Sequence, residues 1–272
     1  MGESMNGLTM AGITDPGMVR DHNEDCFLIL PQKGLAILAD GMGGHLAGEV
    51  ASSLAVNVIS RYLTDNLSRA RKSRRGTDGF SAEARTVLKA VEMANGTIYE
   101  TSRSRPEFSG MGTTVVVTIF RANKLYVAHV GDSRLYRLRH GTLTQLTEDH
   151  SMVQELLRQG LITVEEARTS NARNLVTRAL GVDATVRPDI QEYTIQAGDK
   201  YLLCSDGLND VLTDDDIQSM LCHYGTDLED AISRMVMVVN AKGGPDNVSV
   251  VAVRADKSPA GRVKKTRRKS RA

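Results

Sequence analysis

Apolar residues gather along this chain in short runs of two kinds. The first kind is brief and rich in Val, Ile and Leu: Leu8–Ile13, Phe27–Leu30 and Leu35–Ala39, then Thr113–Phe120, Lys124–Val130 and Arg134–Arg139, and finally Ile190–Ile195, Tyr201–Cys204 and Val248–Val253. Pro, Gly or a tight turn separates neighbours, so each run predicts a strand. The second kind repeats at helical spacing. Val50, Leu54, Val58 and Leu63 predict a helix over 47–67, and Val87, Val91, Ala94 and Ile98 predict another over 82–102, opened by Ser81. Shorter helices are predicted over 214–223 and 228–241, and the polar stretch 151–180 reads as a helical flap. Strand clusters separated by paired helices predict an α+β fold of packed antiparallel sheets with helices outside, not an alternating βαβ arrangement.

Composition narrows the class. The chain has 272 residues, 41% of them apolar, and nothing in its middle reads as a linker, so one domain over 1–256 is expected. No apolar run approaches the roughly 18–20 residues that cross a bilayer, and the N-terminus lacks the basic and apolar blocks of a secretory signal. A cytoplasmic monomer is expected. Cys26, Cys204 and Cys222 stand far apart without CxxC spacing, which argues against a disulfide framework or a zinc site. The net charge of +1 hides an asymmetry: 257–272 carries eight of the 34 basic residues and no acid, leaving 26 basic against 33 acidic residues before it. The tail is expected to be a disordered, solvated extension, with docking to an acidic partner as the alternative.

The chemistry gathers at strand ends. Asp40 closes LAILAD, Asp206 closes YLLCSD and Asp132 closes YVAHVGD, whereas Asp246 stands just before the last strand. A lone Asp-Gly is a routine turn signal. If the last strand runs antiparallel to the others, however, all four carboxylates share one rim. Crowded carboxylates repel, and bound cations relieve that repulsion. Oxygen-only donors without clustered His or Cys favour Mg²⁺ or Mn²⁺. Near the N-terminus, TDPGMVRDHNED adds Glu24 and Asp25 and also Arg20, whose planar fork suits phosphate oxygens.

In this order, TDPGMVRDHNED, ADGMGGHLAGE, GMGTTVV, HVGDSRLYRL, LTEDHS, TRALG, SDGLND and GGPDNVSVV resemble the metal-dependent protein phosphatases of type 2C (the PPM family) in their bacterial form, over about residues 8–254. The resemblance implies a central β-sandwich of two antiparallel sheets flanked by helix pairs, hydrolysing phosphoserine and phosphothreonine in proteins, a cognate serine/threonine kinase among the substrates. It implies two Mn²⁺ or Mg²⁺ ions. Asp40 bridges them, the Gly41 carbonyl binds the second, and Asp206 and Asp246 complete the first. Glu24 and Asp25 match positions that hold metal-bound waters, and Asp132 with Asp206 a third, weaker metal. Arg20 matches the phosphate-binding arginine and Asn247 stands behind the ligands. Met42 occupies the place where eukaryotic relatives carry a proton-donating His, so a metal-bound water is the expected substitute. His45 is expected to be structural and His129 a satisfied core histidine; for His150 a cap and a substrate contact stay open. The rivals are a non-catalytic phosphoprotein-binding regulator on the same fold, which would have lost metal ligands, and a nuclease, for which the acidic body and the lack of an aromatic platform are ill suited.

Overall fold

The computed structural model describes residues 3–5, 7–43, 46–70, 79–163, 166, 167, 170, 172 and 175–256. Its central strands are apolar at nearly every position because both of their faces are buried. In β4 (Leu35–Met42), Leu35, Ile37 and Ala39 face one core while Ala36 and Leu38 face another. In β11 (Lys200–Cys204), Leu202 and Cys204 point one way, Tyr201 and Leu203 the other. The period of two therefore splits each run between two hydrophobic layers.

Among the described residues, twelve strands form two antiparallel sheets. One has the order β1-β2-β12-β11-β8-β9, from β1 (Glu3–Met5), β2 (Leu8–Asp15), β8 (Arg134–Arg139), β9 (Thr142–Gln145), β11 and β12 (Val248–Ala255). The other has the order β10-β7-β6-β4-β3, from β3 (Asp25–Leu30), β4, β6 (Val115–Arg121), β7 (Lys124–Val130) and β10 (Asp189–Thr194), with the two-residue β5 (Gly112–Thr113) paired to the end of β4. Their inner faces share a core of Leu38, Val116, Leu125, Leu203 and Val251. Helices α1 (Ala47–Ala70) and α2 (Ala82–Ser104) cover the outer face of the second sheet. The outer face of the first is covered by the four-residue α4 (Asp206–Asn209), α5 (Asp214–Tyr224) and α6 (Leu228–Ala241). A shorter helix, α3 (Met152–Arg158), stands after β9. The layers run αββα.

The start of α2 follows the predicted chemistry, and α5 has a cap of its own. The Ser81 hydroxyl accepts from the Ala84 amide at 3.1 Å, capping α2. Thr213 and Asp216 form a reciprocal capping box at α5.

Three expectations are revised. The deepest stripe of α1 is not Val50, Leu54 and Val58, which are half-buried, but Ala47, Ala51, Ala55, Ile59, Leu63 and Leu67 at four-residue spacing. Small side chains carry little hydrophobic signal, yet they let the helix approach the sheet closely. Among the described residues of 151–180, α3 and the pair Glu166 and Ala167 are helical, whereas 175–180 is irregular, pinned by bridges between Ser151 and Val176 and between Thr113 and Leu180. Asp206, expected to close a strand, is instead the first residue of α4. The tail 257–272 and His45 lie outside the described residues.

Candidate active site

Strand polarity decides where the acids meet. Residue Val250 of β12 pairs with Cys204, the last residue of β11, and Cys204 pairs with Arg134, the first of β8. In the other sheet Asp25 opens β3 directly opposite Asp40 near the end of β4, and Val130 at the end of β7 lies opposite Val115 at the start of β6. Ser205 ties the two sheets together at this end, its hydroxyl donating to Asp25 Oδ2 at 2.8 Å. The same Oγ accepts from the Ser249 amide of β12 at 2.9 Å.

Asp25, Asp40, Asp132, Asp206 and Asp246 thus converge on one rim, as the antiparallel argument requires. Burial and then neighbouring carboxylates raise four of them, Asp25, Asp40, Asp132 and Asp206. Burial, then the carboxylates of Asp25, Asp206, Asp132 and Asp246, push Asp40 well above the usual carboxylate range. Burial, then Asp132, Asp210, Asp246 and Asp25, do the same to Asp206. Burial pushes Asp25 to about 6, and burial followed by Asp149 pushes Asp132 to about 6. Glu24 is also raised, chiefly by burial.

The backbone around these acids is fixed. The Asp40 carbonyl accepts from the Thr114 amide at 2.9 Å and from the Thr113 hydroxyl at 2.8 Å. The Gly41 amide donates to the Glu24 carbonyl at 3.1 Å. A Cβ on Gly41 would collide with the Gly48 carbonyl in the first turn of α1, so only glycine lets β4 run this close to the helix. Asn247 lies behind the rim: its Oδ1 accepts from the Glu24 amide at 2.8 Å, and its Nδ2 donates to the carbonyls of Pro16 and His22 at 3.0 and 2.9 Å. Arg20 Nη2 donates to Asp246 Oδ2 at 2.7 Å. Asp246 Oδ1 accepts from the Asn247 amide at 2.8 Å. Met42, half-buried at the end of β4, has no proton to give.

The donor set suits hard divalent cations. Every candidate ligand is a carboxylate or carbonyl oxygen, and Asp25 Oδ1 is buried without a hydrogen-bond partner. An uncompensated cluster of this kind costs free energy that a cation would offset. A cleft of about 410 Å³ opens beside it, between Val153, Gln154 and Leu157 on α3 and the segment from Asn209 to Asp214, with Asp132 and Asp206 in its wall.

Some contributors escaped the sequence reading. Ser205, just past a predicted strand, and Ser249, inside one, carry no role in the sequence reading, although a buried serine inside an apolar run such as VSVVAV signals a polar partner. Arg134, which grips Asp149 with Nε and Nη2 at 3.0 and 2.7 Å, also passed unnoticed beside Asp132. Asp210 stands one helical turn after Asp206 and adds to its negative surroundings.

Known proteins carry the same architecture. The family model described as Protein phosphatase 2C matches residues 20–245. The serine/threonine phosphatase stp of Listeria monocytogenes is 38% identical over 253 residues, covering 92% of this chain and 96% of its own length. The crystal structure of the Mycobacterium tuberculosis serine/threonine phosphatase PstP superposes with a TM-score of 0.79 at 38% identity, over 92% of this chain and 99% of that one. The PstP catalytic domain solved with two manganese ions superposes with a TM-score of 0.76 at 38% identity, over 91% and 97%. A rim of oxygen donors at one end of an antiparallel αββα sandwich defines a metal-dependent phosphatase. This chain belongs to the protein phosphatase 2C family and is a serine/threonine phosphatase. A non-catalytic role is not favoured, since the relatives named are enzymes and the rim keeps its acids.

Proposed function

We propose that Asp40, Asp206, Asp246 and the Gly41 carbonyl hold two Mn²⁺ or Mg²⁺ ions, with Asp132 and Asp206 sharing a third, weaker one. Asp40, with Asp25, Asp206, Asp132 and Asp246 around it, would serve both ions, Asp206 and Asp246 would serve the first, and Gly41 the second. Glu24 and Asp25 orient water at the rim, and Asn247 keeps the Glu24 backbone in place. When bound, the cations acidify water and neutralise charge on the phosphoryl group. The observation that carries the reading is the set of buried carboxylates that raise one another's affinity for protons.

The remaining work falls to the chain's own residues. Arg20 is more than half exposed and its fork stands over Asp246, so it can offer N–H groups to two phosphoryl oxygens and orient the ester. Asp25 and Asp132 are buried and Asp40 and Asp206 half-buried, which limits how far bulk water screens these interactions. The thiols take no part: Cys204 is buried, and burial pushes it up to about 12, so it is no nucleophile. The substrates are phosphorylated proteins, with a cognate serine/threonine kinase among them. The domain spans 1–256, acts as a monomer in the cytoplasm, and carries 257–272 as a basic solvated extension.

Phosphate release from a phosphothreonine peptide, measured with Mn²⁺, with EDTA, and with Asp206→Ala, tests the assignment. Release should require both the metal and Asp206. Full activity of Asp206→Ala at low Mn²⁺ would remove Asp206 from the site.

A further inference from the structure

Three side chains outside the acidic rim meet closely. The donor atoms of His129, His150 and Asp189 lie within 4.8 Å of one another, two of the residues buried. His129 and Asp189 are register partners in β7 and β10. His150 stacks on His129 with ring centroids 4.7 Å apart. Two imidazoles and a carboxylate have the composition of a transition-metal site, but the hydrogen bonds argue otherwise. His150 Nδ1 accepts from the Gly131 amide at 3.1 Å. That contact uses the Nδ1 lone pair, so in the neutral ring the proton sits on Nε2. Nε2 is then a donor without a lone pair for a metal, and it faces Asp189 Oδ2 at 3.4 Å, an ion-pair distance outside hydrogen-bonding geometry. The ring is neutral at neutral pH, because burial, His129 and Arg178 push it down to about 4.

The same contacts point to a different role. Gly131 immediately precedes Asp132, and it adopts φ +104° where a Cβ would collide with the Thr114 side chain. His150 grips this glycine twice: its ring accepts from the Gly131 amide, and its own amide donates to the Gly131 carbonyl at 3.0 Å. The His150 carbonyl accepts from the Thr177 amide at 2.7 Å, and the Met152 amide donates to the Leu175 carbonyl at 2.9 Å. Arg178, next to Thr177, reaches Asp189 Oδ1 at 3.3 Å. The stretch that begins at Ser151 and the residues 175–177 are therefore tied to each other and, through His150, to the turn that presents Asp132.

We propose that His150 is a positioning residue: it fixes the Gly131–Asp132 turn and makes cation binding at Asp132 depend on how the flap base is seated. The inference rests on the reading of Asp132 as a ligand of the weakest cation. His150 touches neither substrate nor cation. It acts by holding one amide and one carbonyl, and substitutions that disturb such supporting contacts typically cost about ten- to a hundredfold in metal affinity.

The experiment compares the wild-type protein with His150→Ala, His150→Asn and Asp132→Asn. Asn is the informative replacement because its Oδ1 sits nearly where Nδ1 does and can accept from the Gly131 amide. Mn²⁺ binding is followed by calorimetry, and phosphopeptide hydrolysis is followed across a Mn²⁺ titration, with thermal unfolding in EDTA as the folding control. His150→Ala should weaken the last Mn²⁺ to bind by about tenfold or more and leave tighter binding unchanged, and His150→Asn should restore most of the loss. Two results would overturn the inference: wild-type Mn²⁺ binding in His150→Ala while Asp132→Asn loses the weak ion, or equal defects in the Asn and Ala variants. If Asp132→Asn itself binds Mn²⁺ like wild type, the ligand reading of Asp132 falls and the inference falls with it. A readout free of metal is the ring nitrogen spectrum of His150, expected to show the proton on Nε2. A proton on Nδ1 would contradict the contact with Gly131.

Discussion

At the residue scale the rim is a contest for carboxylate oxygens. Asp246 gives one oxygen to the Asn247 amide and the other to Arg20. With side chains 55% and 31% exposed, the Arg20–Asp246 pair is solvent-screened and adds little to the fold. Its value lies in placing a guanidinium at the mouth of the site. Arg20→Ala is expected to lower kcat/KM for a phosphopeptide by about ten- to a hundredfold, from the loss of charge-assisted hydrogen bonds to phosphate, while the unfolding midpoint in EDTA barely moves. Arg20→Lys should recover only part of the loss, since an ammonium lacks the fork. Steady-state kinetics beside a melting curve separates these outcomes, and a variant as active as wild type would remove Arg20 from phosphate binding. The aspartates were legible one by one in the sequence, because each follows or precedes an apolar run. Ser205 and Ser249 were not, because their hydrogen bonds join residues far apart in the chain.

At the element scale, local signals were read well where they are covalently local. The Ser81 cap, the four longer helices and most strand centres follow from periodicity and punctuation. Strand ends at the rim were read short: β3 begins at Asp25 and β4 continues to Met42, because pairing carries polar residues into the ladder. The short strands β5 and β9 were missed for the same reason, their existence depending on partners and not on pattern. Ser81→Ala is expected to destabilise the protein by about 1 kcal/mol, from the loss of one helix cap. Urea unfolding measures it, and phosphatase activity at 25 °C should be unaffected because α2 stands on the outer layer of the fold. A loss of activity without a loss of stability would mean that the helix start reaches the site.

At the scale of the whole molecule, the acid cluster opposes folding until it is neutralised. Asp25 and Asp132 are raised from 3.8 to about 6 on folding, and Asp40 and Asp206 are raised well above 3.8 as well. Between those values the folded chain holds more protons than the unfolded one, so these acids make the metal-free protein lose stability as pH rises from about 4 through 6. His129 and His150, both depressed below 6.5, act in the opposite sense over the same range, but the raised acids outnumber them. Thermal unfolding in EDTA should therefore show a falling Tm from pH 4.5 to 7. The increase in Tm on adding Mn²⁺ should be small at pH 5 and large at pH 7.5, because protons and cations compete for the same oxygens. A metal-free Tm that climbs across this range would contradict the acid cluster.

The sequence by itself determined the alternation that splits each strand between two cores, the helix starts and the positions of the acids at the ends of apolar runs. Those features depend on neighbours within a few residues, where side-chain period and backbone preference act directly. Only the tertiary structure decided that β12 runs against β11 and brings Asp246 to the rim with Asp40 and Asp206, that serines cross-link the two sheets beneath it, and that His150 holds the turn before Asp132. These join residues well separated in the chain, from 19 positions for Gly131 and His150 to 180 for Asp25 and Ser205, and such contacts come into being only when packing has paid the entropy of bringing them together.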